Sequence, residues 1–259
     1  MRALQVREPA VAGSFYPGSA AELGQAVDTL LAAAPRGACP KALVVPHAGY
    51  RYSGPIAASG FARLRDAATR IERVVLVGPA HRVYVDGLAE PGVDALATPL
   101  GRIAVDRDAL AQIDAAPHPR AHAREHCLEV ELPFLQKLVP HAKLVPLLAS
   151  DAPASEVGAA LAALWGGPET LIVISSDLSH YHAPADARRL DARTAERILA
   201  LDATLDGNDA CGAVGINGLL HVARAKGLRA ELIDLRNSGD TSPDRDEVVG
   251  YGAFAFYEE

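Results

Sequence analysis

The chain has 259 residues, 49% hydrophobic but only 5% aromatic, with a net charge of -7 at neutral pH. That length suits one large α/β domain with a core of Ala, Val and Leu, and the acidic balance removes any electrostatic basis for nucleic-acid binding. No basic run addresses an anionic membrane surface, and no stretch reaches ~18 consecutive apolar residues, so the expectation is a cytosolic protein with no membrane partner.

The N-terminus lacks the apolar segment of a secretory signal. Cys39, Cys127 and Cys211 form an odd set without C-x-x-C pairing. That argues against a disulfide framework or a structural zinc knuckle and leaves a single cysteine available as a metal ligand.

Residues 5–18 carry Pro, Gly and Ser without a helical period and predict an extended lead-in loop, with Phe15 and Tyr16 anchoring the terminus or, alternatively, packing over a site. Ser19 and Glu22 read as a capping box that opens a helix burying Leu23, Val27, Leu30 and Leu31 and ending at Pro35 to Gly37. The apolar run from Ala42 to Val45 predicts a buried strand stopped by Pro46, with His47 delivered at its carboxyl end. A helix is expected from Ser53-Gly54-Pro55 to about residue 65, with Pro in its first turn. A second apolar run, Val74 to Val77, stops at Gly78-Pro79 and delivers His81.

Short strand pieces over residues 85–96 and 103–105, joined by a turn at Pro99-Leu100-Gly101, predict a small hairpin layer at one edge of the sheet. A short helix over 106–113 and a Pro/His-rich loop over 115–123 follow. Residues 125–138 then read as one helix on which His126 and Glu129 are i,i+3 neighbours that reach one spot. After a strand over 143–148 and a helix over 154–165, a third corner opens from an apolar run into Ser175, Ser176, Asp177 and His180. Residues 183–200 predict an amphipathic surface helix. A Gly-rich loop over 206–218 presents Cys211 ahead of a helix ending at Gly227, and strands over 231–235 and 248–256 flank a polar loop over 237–247. Alternating strands and helices with no dividing linker predict a single-domain α/β sandwich over residues 1–259, with a mainly parallel central sheet flanked by helices.

Three strand ends that each present His, one with Asp beside it, form the strongest chemical signal, because ligands of open α/β sheets collect at the carboxyl ends of strands. Two imidazoles and one anion, with coordination positions left open, suit non-haem Fe(II) chemistry or catalytic zinc; the anion is Asp177, Glu129 or Cys211. The serines beside Asp177 lack a G-x-S-x-G elbow, and the glycines after Asp206 match neither a dinucleotide fingerprint nor a P-loop.

The segments PHAGYRYSG, GPAHRVY, REHCLEVELPFL, SSDLSHY and CGAVGI, with the terminal GDTS and VVGYGAF, together resemble the MEMO family. Its bacterial and archaeal members form the AmmeMemoRadiSam system protein B group. The resemblance spans nearly the whole chain, with the motifs in order. It implies a fold similar to the LigB-type class III extradiol dioxygenases, in which non-haem Fe(II) cleaves catecholic rings. Carried over residue by residue, it implies metal ligation by His47, His81 and Cys211, with His126, Asp177 and His180 lining the same cavity as acid–base groups.

Fe(II) is the metal implied, with Cu or Zn as alternatives. A Cys in place of the LigB glutamate is the softer and redox-active donor. The segment ACGAVGING lacks the charged pair that follows this Cys in animal members. The function implied is a non-haem metal-binding, dioxygenase-like oxidoreductase acting on an unassigned small molecule, partnered by AMMECR-type and radical-SAM proteins. Rival readings are a non-catalytic protein- or peptide-binding module on the same fold and a zinc-dependent hydrolase. Ala-rich helix surfaces are compatible with a homodimer.

Overall fold

The computed structural model describes residues 3–67, 69–242 and 246–258. Among them the strands are β1 (Val6–Arg7), β2 (Ala42–Val45), β3 (Arg73–Pro79), β4 (Ala89–Glu90), β5 (Ala95–Thr98), β6 (Gly101–Ala104), β7 (Ala116–Pro117), β8 (Lys143–Ala149), β9 (Thr170–Ser175), β10 (His180–His182), β11 (Arg229–Asn237) and β12 (Val248–Tyr257). In the main sheet, β2, β9, β3 and β8 are parallel neighbours in that order. Antiparallel partners flank them, β12 against β2 and β4 against β8, while β10 and β11 also pair with β12.

The four parallel strands are apolar runs buried along almost their whole length, as a sheet covered on both faces requires. Val45 pairs with Ser175 and Val77 with Ile174, so Val45 and Val77 point to opposite faces. Gly60 of helix Tyr50–Phe61 presses on Val45, and Gly215 of helix Ala213–Lys226 presses on Ile174 and Val77. One helix therefore covers each face, and the architecture is the predicted α/β sandwich.

Several local expectations change. Part of the lead-in loop is strand: β1 pairs in parallel with β5, which forms the predicted hairpin with β6. The second helix starts at Tyr50, directly after the first corner, so Pro55 lies inside it rather than in its first turn. Residues 125–138 are not one helix but a 3-10 turn, Glu129–Glu131, followed by helix Leu132–Leu138. Pro133 is the reason, since it has no N–H to bond back one turn, and it sits in the first turn of the helix that follows, where that N–H is not needed. The loop over 115–123 contains β7 and helix Pro119–Ala123. The loop over 237–247 contains helix Ser238–Thr241, capped by Asn237, and its residues 243–245 lie outside the described ones.

His122 is buried and donates from Nε2 to the Ala89 carbonyl at 2.9 Å. Burial holds its pKa down to about 4. The unfolded chain takes up this proton near ~6.5, whereas the folded chain refuses it until the pH is far lower. The stability contributed by the neutral imidazole is therefore complete above ~6.5 and is lost as pH falls toward the folded value. The unfolding free energy is expected to fall by on the order of 3 kcal/mol across that window. Urea titrations at stepped pH should show a shallower fall in His122→Gln.

Candidate metal centre

Each of three parallel strands delivers a polar side chain at the second residue past its end: His47 after Val45, His81 after Pro79 and Asp177 after Ser175. The expectation of a His at the third corner is met differently, because Asp177 takes the equivalent place and His180 opens β10. There the pairing with β12 shifts register, and Tyr181 adopts a φ of 58°. A left-handed aromatic residue within an irregular strand pair marks a bulge of the kind that re-aims side chains beside functional sites.

Donor atoms of His47, His81 and His126 all lie within 4.8 Å of one another. Their ring centroids are 5.2 Å (47–81), 5.4 Å (47–126) and 4.8 Å (81–126) apart. Glu125 organises two of them. It accepts the backbone N–H groups of His81, His126 and Cys127 at 2.7, 2.8 and 3.2 Å. Nδ1 of His81 lies 2.9 Å and Nδ1 of His126 3.2 Å from the same carboxylate. Burial works to raise the Glu125 pKa, but hydrogen bonds from His126 and His81 overcome it and hold the carboxyl well below its ordinary range. With Nδ1 occupied, Nε2 of each ring is the nitrogen left for a ligand.

His47 Nδ1 sits 2.7 Å from Ser175 Oγ. Burial, reinforced by His81 and His126, holds its imidazole well below the ordinary histidine value, so it is neutral.

Cys211 reaches this group through His47, with Sγ 3.3 Å from Nε2. The Asp177 N–H donates to that sulfur at 3.2 Å, and the Cys211 N–H donates to the Asp177 carbonyl at 3.2 Å. The approach depends on Gly212, where a Cβ would fall 2.6 Å from Ser176 Cβ and 2.8 Å from the Ser175 carbonyl. Burial, then the Asp177 charge, push the thiol well above its ordinary value. It stays protonated unless a cation displaces the proton. Asp177 accepts the His47 N–H at 2.8 Å, and burial raises its carboxyl against that bond.

His47, His81, His126, Asp177 and His180 open on a cavity of about 510 Å³ walled by Phe15, Tyr52, Tyr181 and Tyr251. Of the six predicted site residues, only Cys211 is not part of that lining. A larger hollow of about 660 Å³ beside helix Ala20–Ala33 is lined by no histidine or cysteine, so the candidate donor group opens on the smaller one.

Glu129, one of the three candidate anions, is committed elsewhere. It pairs with Arg7 and accepts from the amides of Ala10 and Val11 and from the Tyr16 hydroxyl. His81, Glu125 and Cys127 form a second close group. Glu125 is already fully engaged there, and Cys127 donates to the Pro79 carbonyl at 3.0 Å, so that group supports the imidazoles. No local pattern marks Glu125 as the partner of His81, because that bond joins residues 44 positions apart. Imidazole nitrogens with one nearby thiol suit iron, copper or zinc and not magnesium or calcium.

The sequence matches the family model described as Memo-like protein over residues 7–255. It is similar to a protein of Archaeoglobus fulgidus named MEMO1 family protein, 37% identical over 97% of this chain and 99% of the relative. Proteins with the same name from Aquifex aeolicus (36% identical; 98% of this chain, 100% of the relative) and Methanosarcina mazei (34%; 96% and 98%) are similar over comparable lengths.

Proposed function

Because this chain belongs to the Memo-like protein family, we propose that its cavity holds a redox-active divalent metal, iron first, and serves an oxygen-dependent oxidation of a small molecule. The observation that carries the reading is the convergence of three imidazoles whose Nδ1 atoms are each held by a fixed partner. His47 and His81 would be the neutral ligands and Cys211 the anionic one, with His126 facing the same position. Such a metal supplies Lewis acidity and one-electron exchange.

The chain's own groups do the rest. Cys211 releases its thiol proton on ligating, so binding weakens as pH falls. Asp177 and His180, both on the cavity wall, hold or take up a substrate proton. Phe15, Tyr52 and Tyr251 present flat apolar surface that excludes water. Association with AMMECR-type and radical-SAM proteins belongs to the same proposal on family grounds, and a cytosolic location on the sequence reading above. Among the described residues no helix is long and apolar enough to cross a membrane.

Elemental analysis of anaerobically purified protein tests the reading. About one iron per chain is expected, lost in His81→Ala and Cys211→Ser and weakened in His126→Ala. Folded protein without stoichiometric metal would overturn it and favour a binding module on the same scaffold.

A further inference from the structure

We propose that Glu131 is a buried neutral carboxylic acid that donates to Ser175, beneath a His47 that carries its hydrogen on Nδ1 and turns a bare Nε2 toward the metal position. The consequence for metal binding rests on the ligand assignment above; the protonation and tautomer do not.

The argument is a count of hydrogens around Ser175 Oγ. That oxygen meets the Cys127 carbonyl at 2.8 Å, Glu131 Oε1 at 2.9 Å and His47 Nδ1 at 2.7 Å. A serine hydroxyl donates one hydrogen and accepts two. The Cys127 carbonyl can only accept, so it takes the serine hydrogen. The two lone pairs then need donors, which requires hydrogen on both His47 Nδ1 and Glu131 Oε1. An ionised Glu131 would leave one of the two O···O contacts with no hydrogen in it.

Water does not relieve this conflict from outside, since Glu131 and Ser175 are 0% exposed and His47 is 1% exposed. Glu131 Oε2 has no hydrogen-bond partner. An unpaired acid carbonyl is tolerable in the interior, whereas an unpaired charge is not. Among the described residues, the groups acting on Glu131 add no cation. Asp177 is a carboxylate, Cys127 a buried thiol, and Tyr50 donates its hydroxyl to the Val130 carbonyl at 2.9 Å. Burial first, and Asp177 next, raise the Glu131 carboxyl well above its ordinary value, against the Ser175 hydrogen bond. With hydrogen on Nδ1, the lone pair of His47 is on Nε2, the atom 3.3 Å from Cys211 Sγ. A neutral acid supplies this donor without adding negative charge beneath Glu125, Asp177 and Cys211.

Two readouts on metal-free protein decide the proposal. At about pH 8, where ordinary carboxyl groups are ionised, the infrared difference between wild type and Glu131→Gln should contain a carboxylic-acid C=O stretch. Any band from Asp177 survives that substitution and cancels. Nitrogen-15 NMR should show His47 protonated at Nδ1 and bare at Nε2 in wild type. The same pattern is expected in Glu131→Gln, whose amide replaces the acid as donor, because the Cys127 carbonyl still takes the serine hydrogen. No difference band, or a wild-type His47 bare at Nδ1, overturns the proposal.

Co(II) titration then reads the consequence, with affinity close to wild type in Glu131→Gln, whose amide supplies the same donor without adding charge. A protein with the band and tautomer that binds no Co(II) refutes the metal reading and leaves the Glu131 assignment standing.

Discussion

Glu125→Ala is expected to weaken divalent-metal binding by about 100-fold and to lower stability by about 3–5 kcal/mol. The carboxylate is almost fully buried and receives three backbone N–H groups and two imidazole Nδ1 atoms. Its removal strands buried donors, each carrying a penalty of ~1–3 kcal/mol, and frees the rings of His81 and His126 to rotate. Glu125→Gln separates charge from shape. Donors face both carboxylate oxygens, so an amide nitrogen placed at either meets another N–H. The glutamine variant should therefore behave more like alanine than like wild type. Metal titration followed by urea unfolding of the same samples checks both parts. Unchanged affinity in either variant would remove Glu125 from the centre.

Glu129→Ala is expected to destabilise the fold by about 3–5 kcal/mol without touching a donor atom of the centre. Its carboxylate is the anchor of the N-terminal segment. It pairs with Arg7, which is only 8% exposed, and accepts the amides of Ala10 and Val11 at 2.7 and 3.0 Å and the Tyr16 hydroxyl at 2.5 Å. Truncation leaves a buried guanidinium without its anion, which is the expensive half of breaking a buried pair. Replacing both partners, Arg7→Met with Glu129→Leu, should recover much of the loss, because no charge is then left unpaired. The same segment carries Phe15, whose ring centroid lies 4.8 Å from that of His126. Glu129→Ala should therefore also raise the reactivity of His126 toward an imidazole acylating reagent, read by peptide mapping. A stability change below ~1 kcal/mol would place this pair with ordinary surface ion pairs and end the anchoring argument.

The two variants differ in a way the sequence does not announce. Glu125 and Glu129 are four residues apart in one predicted helix, where they would share a face. The chain instead breaks at the 3-10 turn ahead of Pro133, so one carboxylate serves the imidazoles and the other the N-terminal segment. The apolar spacing of Leu128, Leu132 and Leu135 favoured a continuous helix, and the missing N–H of Pro133 overrode it. The helix expected from Ser53 does form, but it begins at Tyr50, because Gly49 and Tyr50 carry no local start signal.

What the sequence determined by itself is the four parallel core strands and the corners that follow them. Each apolar run and its stop at Pro46, Gly78-Pro79 or Ser175-Ser176 is a local pattern read within a few residues. Parallel pairing then carries His47, His81 and Asp177 to one edge, with no further information needed beyond the fold class. Tertiary structure alone decided which group serves which. Cys211 meets His47 across 164 positions, Arg7 meets Glu129 across 122, and Ser175 joins Glu131 to His47 across 44 and 128. Burial turns these meetings into chemistry, because a carboxyl, thiol or imidazole removed from water takes its protonation from the few partners within hydrogen-bond reach. Those partners are chosen by packing between distant segments, and no local pattern records them.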